Sequence, residues 1–306
     1  MTIYLPIAGM AINLFLVTGV GFAVGFLSGM LGVGGGFLIT PLLVMLGIPI
    51  DVAVATGANH AVATSASGSL AQWQRGNIDP KMAAFMLVGG VGGSLLGVQV
   101  LAWLKFIGQM DFAISLCYVL LLGVLGVLML TEGTSAMIRA RRGEQKTGRR
   151  GRHTFLHALP FKTRFPRSKL YMSVIPPLVL GFLVGLLSAI MGVGGGFFAV
   201  PVMVYVLGMP TRVVVGTSLL IVLATGALTT VLQAWQNQAV DIVLAAMLMV
   251  GGVAGAQLGT RAGNNLPGEQ IRAMLGFLVL AVSLRIAYLL VAQPGEFYSI
   301  DVPRLR

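Results

Sequence analysis

The sequence predicts an all-α integral membrane protein with two inverted-topology repeats of about five transmembrane segments each and short glycine-broken helices. Three observations predict this fold class. The 306 residues are 57% hydrophobic and only 9% charged, with a mean hydropathy of +0.92, whereas soluble domains carry about 25% charged residues. Apolar segments recur along the whole chain, and one glycine-rich motif occurs twice at corresponding positions. The composition leaves no room for a large water-exposed domain.

Apolar segments occur in two matching sets, at residues 7–29, 36–47, 51–73, 82–104 and 111–131, and then at 173–190, 197–208, 211–235, 241–262 and 271–292. A membrane span needs about 20 apolar residues, and the second segment of each set is much shorter. We therefore expect that segment either to tilt beside its neighbour or to re-enter the membrane. The predicted organisation is a first membrane repeat, a basic linker, a second membrane repeat and a C-terminal tail, at 1–131, 132–172, 173–292 and 293–306.

Basic residues are concentrated in the linker. Residues 132–172 contain eleven Lys and Arg against two Glu, and so carry most of the formal charge of +11. A basic loop between membrane spans is typical of the cytoplasmic side, where it is attracted to anionic lipid headgroups. We therefore predict a cytoplasmic linker in contact with anionic lipid, and no nucleic-acid partner.

The number of crossings in each half decides the topology. An odd number inverts the second half relative to the first, whereas re-entrant short segments would give an even number and parallel halves. With five crossings per half, Arg75, Lys81, Arg212 and Arg261 all fall in cytoplasmic loops. The positive-inside rule therefore favours inverted repeats, with the N- and C-termini in the periplasm.

Cofactor and targeting signals are weak. The one cysteine, Cys117, permits no intrachain disulfide and no cysteine-based metal site. The N-terminal residues lack the positive region and the cleavage site of a signal peptide, so we interpret them as part of the first span. We predict no cofactor and no bound metal.

The internal repeat centres on the motif GVGGGF. The stretch GFLSGMLGVGGGFLITP, from Gly25, returns as GLLSAIMGVGGGFFAVP, from Gly185, and matches continue through most of each half. Each copy interrupts an apolar run. Helix breaks at membrane depth are tolerated only where the backbone lines a cavity or is packed in protein. Paired glycine-interrupted segments in corresponding positions indicate the binding site of a transporter.

Each break is expected to start a new short helix, whose first N–H groups have no partner within the helix and carry partial positive charge. Such a start binds anions, and two of them side by side would suit a compact oxyanion. The candidate backbone contacts are Gly32, Gly34, Gly35, Gly36, Gly192, Gly194, Gly195 and Gly196. The alternative, that these glycines only let helices cross closely, stays open. A nucleotide phosphate loop is excluded because the motif lacks the required Lys-Ser/Thr pair.

Polar side chains in the third and eighth segments are the other site candidates. Thr56, His60 and Thr64 recur every four residues and share one helical face. Ionisable residues within a span are functional candidates by default, so we interpret His60 as a substrate contact or a proton-coupling residue. The remaining side-chain candidates are Asn59, Thr217 and Thr225. Hydroxyl groups in membrane helices also bond their own backbone, which is the alternative for the threonines.

Two further features have simpler interpretations. The small residues of Gly89–Gly97 and Gly251–Gly259 predict close helix–helix packing. Arg285 in the last segment either extends its side chain to the outer interface or attracts an anion.

The doubled GVGGGF motif with its following proline, then G-(I/M)-P, then (A/G)-T-(G/S), resembles the sulfite exporter TauE/SafE family of bacterial membrane transporters. The resemblance covers residues 7–292. It implies a secondary transporter of the inner membrane for sulfite, sulfoacetate and similar C2 sulfonates, or thiosulfate. By motif it assigns substrate contacts to Gly32–Gly36, Gly192–Gly196, Thr56 and Thr217–Ser218. The first half reads Ala55-Thr56-Gly57 where G-T-S is more usual.

We therefore predict a transporter that exports a small sulfur-containing anion by alternating access, and no enzymatic activity. The alternatives are an anion channel and a carrier of another small anion, and a homodimer is left open. Enzymatic activity is disfavoured because no acidic residue falls inside a predicted span; they lie at span ends or in loops, at Asp51, Asp79, Asp111, Glu132, Glu144, Asp241, Glu269, Glu296 and Asp301.

Overall fold

Helices make up most of the chain. A computed structural model describes residues 2–31, 34–141, 162–168, 170–263 and 268–292. The helices are α1 (Leu14–Leu31), α2 (Gly36–Met45), α3 (Ile50–Gln74), α4 (Pro80–Ile107), α5 (Met110–Arg141), α6 (Ile175–Met191), α7 (Gly196–Tyr205), α8 (Thr211–Leu232), α9 (Ile242–Gly263) and α10 (Gly268–Val291). Four of them, α4, α5, α9 and α8 with the π-helical turn Gln233–Asn237 that continues it, are long and apolar enough to span a membrane. The observed helical architecture agrees with the predicted all-α membrane class, whereas the inverted repeat is a separate question.

A short antiparallel hairpin precedes the first helix of each half. β1 (Thr2–Leu5) pairs with β2 (Met10–Asn13), and β3 (Lys162–Phe165) pairs with β4 (Leu170–Ser173). In the first hairpin, Gly9 has φ +67° and its N–H donates to the Leu5 carbonyl, which closes the turn. The sequence predicts neither hairpin, because it predicts a membrane span at the first and the basic linker at the second.

The helices pack mainly across the two halves. α1 runs parallel to α9: Gly25 meets the backbone of Gly252, and Gly29 meets Ala256. α4 runs parallel to α6 in the same way, with Gly89 against Leu178 and, further along both helices, Gly93 against Phe182. The absence of a side chain at each glycine lets the backbones touch. The close packing predicted for the two glycine-rich segments is confirmed.

Corresponding helices of the two halves pack antiparallel. Gly68, late in α3, contacts Leu219, early in α8, whereas Gly226 contacts Val62. In the α5–α10 pair, Gly123 lies against Ser283, and Gly133 lies against Ala273. In the α3–α8 pair and in the α5–α10 pair, each half therefore contributes the counterpart of the other half's helix. The two helices of each pair run in opposite directions.

α2 and α7 are short and buried. Each has ten residues, or about 15 Å of helix, against a hydrocarbon core of about 30 Å. They begin at Gly36 and Gly196, directly after the two glycine motifs, as predicted. α3 packs against α2, α8 and α9, and many of its residues are fully buried, so this polar helix lies at the centre of the fold.

Candidate functional site

The two glycine breaks lie against each other. A Cβ atom added at Gly36 would fall 2.7 Å from the carbonyl oxygen of Val193, so the start of α2 contacts the backbone of the second motif. The first side chains of the two short helices also meet, because the rings of Phe37 and Phe197 stack with centroids 5.9 Å apart.

Two side chains, from α3 and α8, contact both breaks. A Cβ at Gly34 or at Gly194 would approach Cγ1 of Val222 to 3.0 and 2.7 Å. A Cβ at Gly36 or at Gly194 would fall 2.9 Å from the Cβ of Ala61. Gly34 and Gly194 have φ of +74° and +72°, values that favour glycine. The breaks, α3 and α8 therefore form one buried centre.

Polar groups of α3 surround the first break. A Cβ at Gly34 would lie 3.0 Å from Oγ of Ser65, and one at Gly35 would lie 2.9 Å from Cε1 of His60. The Gly35 N–H donates to Oγ1 of Thr64 at 3.4 Å. Three residues of one helix thus contribute two hydroxyls and an imidazole to the surroundings of the break.

Two of these groups have unused hydrogen-bonding capacity. His60 Nε2 lies 3.4 Å from the Gly21 carbonyl oxygen, whereas His60 Nδ1 has no hydrogen-bond partner among the described residues. Ser65 Oγ also has none there, and both residues are fully buried. Buried polar atoms are nearly always paired. Two unpaired atoms beside one helix start therefore mark this place as a candidate ligand site.

The second break has a more apolar environment. A Cβ at Gly195 would contact Val184. In the alignment of the repeats, Ile221 stands in place of His60 and Gly226 in place of Ser65. Thr225, the counterpart of Thr64, donates to the Ile221 carbonyl at 2.8 Å. The two breaks share a sequence motif but not a set of polar side chains.

The remaining candidates lie in different places. Thr56 is buried on α3, and its Oγ1 has no hydrogen-bond partner in the part of the chain that the structure describes. Asn59 is half-buried. Thr217, on α8, lies against the α3–α4 loop, where its Oγ1 accepts a hydrogen bond from the Asp79 N–H at 3.1 Å. Ser218 donates to the Val215 carbonyl at 3.0 Å.

The candidate glycines also differ in their surroundings. A Cβ at Gly192 would clash with the Val54 backbone on α3. Gly196 is the first, buried residue of α7. Gly32 lies outside the described residues. The structure therefore brings Gly34, Gly35, His60 and Thr64 together and places Thr217 and Ser218 elsewhere.

Ser65 was not among the predicted site residues. The helical face through Thr56, His60 and Thr64 excludes it, because Ser65 is rotated by about 100° from Thr64. The break, however, contacts two adjacent faces of α3. One face contains Thr64, and the other contains Ala61 and Ser65. The polar run Thr64-Ser65 in an otherwise alanine-rich stretch was the available signal.

The hairpin before α6 is attached to the first half through Asp79. Ser168, in the hairpin turn, donates its N–H and its Oγ–H to Asp79 Oδ2 at 3.0 and 2.6 Å. Arg167 Nη1 donates to the carbonyls of Gly76 and Ile78. Asp79 is fully buried and also caps α4 through the Met82 N–H. We call this set of contacts the Asp79 clasp.

The hairpin before α1 is attached to the second half through Asp241, the counterpart of Asp79. Asp241 caps α9 by accepting from the N–H groups of Val243 and Leu244. Its Oδ2 accepts one further bond, from the Ile7 N–H at 3.0 Å. This Asp241 clasp repeats the first one with fewer bonds to the hairpin.

Charged side chains are remote from the breaks. α1, α2, α6 and α7 contain no acidic or basic residue within their described ranges. Arg285 lies on the exposed face of α10, with its guanidinium 5.8 Å from the ring centroid of Tyr288. This position fits the interfacial role considered for Arg285, since the side chain points away from the core.

Comparisons with known proteins agree on one family. The family model described as "Sulfite exporter TauE/SafE" matches residues 17–286. A "Probable membrane transporter protein" of Xylella fastidiosa (strain 9a5c) is 29% identical over 280 residues, which cover 90% of this chain and 95% of that protein. The "Probable membrane transporter protein YjnA" of Bacillus subtilis (strain 168) is 25% identical over 281 residues, covering 90% and 100%. No solved structure matches the chain.

Proposed function

Because the chain belongs to the sulfite exporter TauE/SafE family, we propose that it exports small sulfur-containing anions from the bacterial cytoplasm as a secondary transporter. The family and the names of the relatives support a multi-pass membrane transporter rather than an enzyme. The proposed cargo is sulfite or a C2 sulfonate such as sulfoacetate, and the proposed location is the inner membrane.

The observation that carries the proposal is the first break. It joins the unpaired Ser65 Oγ and His60 Nδ1 to the start of α2 in one buried place. A helix start supplies N–H donors and partial positive charge. An oxyanion of sulfur has several acceptor oxygens on one compact centre, so it can accept from the helix N–H groups and the Ser65 hydroxyl together. Nε2 of His60 faces the Gly21 carbonyl oxygen, which can only accept, so Nδ1 donates to the anion when the imidazole is protonated. In this role Gly34, Gly35, His60, Thr64 and Ser65 contact the anion.

Inverted repeats are part of the proposal. Repeats related by an axis along the membrane normal would bring corresponding helices together in parallel, whereas α3 packs antiparallel to α8, and α5 antiparallel to α10. This packing supports an axis in the membrane plane, as in other transporters with inverted repeats. With the linker in the cytoplasm, the Asp79 clasp is cytoplasmic and the Asp241 clasp periplasmic.

Alternating access then has two natural gates. The breaks are buried on all sides among the described residues, and each clasp attaches one half to the other at opposite ends of the molecule. We infer that opening one clasp at a time exposes the site to one side of the membrane. The sealed packing around the breaks supports a carrier over an open channel.

The experiment that tests this function is tracer uptake into proteoliposomes. Radiolabelled sulfite and sulfoacetate are compared with sulfate and chloride, in wild type and in a Gly35→Val, Gly195→Val double variant. The added side chains would meet His60 and Val184. Gly19→Ala is the matched control, since a Cβ at Gly19 meets nothing within 4 Å.

We expect saturable flux of a sulfur anion that is retained in the control and lost in the folded double variant. Flux that survives the double variant would reduce the glycines to packing residues. If no sulfur anion is transported by any of the proteins, the proposed cargo is wrong. Ion currents far above carrier turnover would instead identify a channel.

A further inference from the structure

We propose that this transporter carries one proton across the membrane with each anion, and that the proton is bound at Nδ1 of His60. The inference rests on the proposed function and adds the coupling ion to it. It starts from one side chain at the first break. His60 is fully buried, and its Nδ1 has no hydrogen-bond partner among the described residues.

The imidazole of His60 is held by its neighbours in one orientation. Nε2 lies 3.4 Å from the carbonyl oxygen of Gly21 on α1. A Cβ added at Gly252, on α9, would meet Nε2 and Cδ2 of the ring. A Cβ at Gly35, in the break, would lie 2.9 Å from Cε1, the carbon bonded to both ring nitrogens. Nε2 therefore faces α1 and α9, and Nδ1 is the nitrogen that is left for a ligand at the break.

Hydrogen bonding decides where this ring takes up a proton. A carbonyl oxygen only accepts, so Nε2 carries the N–H group of the neutral ring and Nδ1 is an acceptor. The oxygens of a sulfonate also only accept, so the neutral ring offers them nothing at Nδ1. A proton added at Nδ1 turns this acceptor into a charged donor, which makes stronger hydrogen bonds to an anion than a neutral donor does. The anion therefore binds best to the protonated ring.

The proton also supplies a positive charge that the elements around His60 lack near the break. α1 and α2 contain no acidic or basic residue in their described ranges, and α3 adds only Asp51, in its first turn and paired with Lys105. α8 contains Arg212 in its first turn, and α9 contains Arg261 in its last turn. These five helices contain no cysteine or tyrosine in their described ranges. Among them, His60 is thus the titratable group at the break.

Burial couples the proton to the anion. A buried charge without a partner is costly, so the empty site favours the neutral imidazole, and the neutral imidazole gives a buried anion no counter-ion. Bound together, the two opposite charges offset part of the cost of removing each from water. By linkage, each then increases the affinity of the site for the other. One proton therefore binds Nδ1 with the anion on one side of the membrane and leaves Nδ1 with it on the other side.

This coupling determines what drives export. Each exported anion removes one proton from the cytoplasm. The outward gradient of the anion drives the cycle, and a proton gradient directed into the cell opposes it. The carrier therefore exports the anion while it accumulates in the cytoplasm and slows as the excess is removed.

The test uses the full-length protein in proteoliposomes, with radiolabelled sulfoacetate as the cargo and a pH-sensitive dye in the lumen. Both acidic groups of sulfoacetate stay ionised in the neutral range, so a proton that crosses with it is carried by the protein. Potassium with valinomycin holds the membrane potential constant. We expect about one proton to enter the lumen per sulfoacetate taken up, and kcat/KM to rise about tenfold for each unit by which the external pH is lowered.

Two variants at the same break sharpen the test. His60→Gln keeps an amide that can donate a hydrogen bond but does not titrate. The flux that it retains should be nearly independent of pH and should not acidify the lumen. Ser65→Ala is the matched control, because it removes a donor from the anion and leaves the imidazole in place. Its uptake should fall, whereas its pH dependence and its proton count per anion should match those of the wild type.

The wild type alone can overturn the coupling. Uptake of sulfoacetate without acidification of the lumen would contradict it and leave the proposed function intact, and so would an unchanged pH dependence in His60→Gln. If sulfite is transported and sulfoacetate is not, the proton counts of the two variants are compared with sulfite, since protonation of the cargo is common to both. Absence of flux for every sulfur anion would contradict the proposed function itself, and this inference with it.

Discussion

The two glycine breaks have the same motif and the same neighbours in Ala61 and Val222, yet they differ in polar groups. The first faces His60, Thr64 and Ser65, whereas the second faces Val184 and has Ile221 in place of the histidine. A duplicated backbone therefore supplies the paired breaks, and the side chains of α3 make one of them different. The repeat explains why a site can exist here, and the departure from the repeat indicates the break at which we propose it.

The two clasps show a similar difference. Each joins a hairpin of one half to a buried aspartate that caps a helix of the other half. Asp79 accepts two bonds from its hairpin, and Arg167 adds two more to the same loop. Asp241 accepts one bond from its hairpin. Among the described residues, the Asp79 clasp thus makes more bonds to its hairpin, whereas Asp241 makes more bonds to the helix that it caps.

The largest effect is expected from making the first break resemble the second. His60→Ile places the residue of the second half at the equivalent position of the first, and removes a group that can bond the anion. A hydrogen bond to a charged group contributes about 1.5–3 kcal/mol, or roughly 10- to 100-fold in a binding constant. We expect sulfite uptake to fall by roughly 100-fold, measured as kcat/KM in proteoliposomes.

Ile221→Leu is the matched control for this substitution, because it changes the equivalent residue at the second break and keeps its volume. Its uptake should stay within about twofold of wild type. A histidine variant that transports sulfite normally would remove His60 from the site.

A smaller effect should be common to the two clasps. Asp79→Ala leaves the N–H and Oγ–H of Ser168 and the Met82 N–H without their acceptor, and Asp241→Ala leaves the N–H groups of Ile7, Val243 and Leu244 without theirs. Each buried donor left unpaired costs about 1–3 kcal/mol in the free energy of unfolding. Because both variants lose three such bonds, thermal unfolding in detergent should give two similar midpoints, both well below that of the wild type.

A clearly lower midpoint for one variant would contradict this equivalence and show that its clasp contributes more to the free energy of unfolding. The comparison is internally matched, since both aspartates are fully buried helix caps with one oxygen bonded to their own helix.

Much of the fold could be predicted from composition and repetition. The low charge content defined the membrane class, and the glycine motifs correctly located the starts of α2 and α7. Both signals are local, because burial in lipid and helix interruption depend on a few adjacent residues. The hairpins were missed for the same reason. The residues of β1 and β2 are as apolar as a span, and only Pro6 and the positive φ of Gly9 separate a hairpin from a helix there.

The surroundings of the candidate site were predicted less completely than the fold. His60, Thr64, Gly34 and Gly35 were predicted together and lie together. Thr217 was grouped with them by symmetry, but its hydroxyl bonds the α3–α4 loop. Ser65 was missed because helical periodicity assumes one buried face, whereas α3 is surrounded by α2, α8 and α9. Tertiary packing decides which face of a central helix meets a break, and sequence periodicity alone does not determine that face.

The measurement that tests the central claim most directly is sulfite uptake by Ser65→Ala compared with Ser188→Ala. Both serines are fully buried, and both have an unpaired Oγ among the described residues. Ser65 lies beside the first break, and Ser188 lies near the end of α6, just before the second break. With the anion at the first break, Ser65→Ala should lower kcat/KM by roughly 10-fold or more, while Ser188→Ala stays near wild type. Equal losses in the two variants, or a loss confined to Ser188→Ala, would contradict a site at the first break.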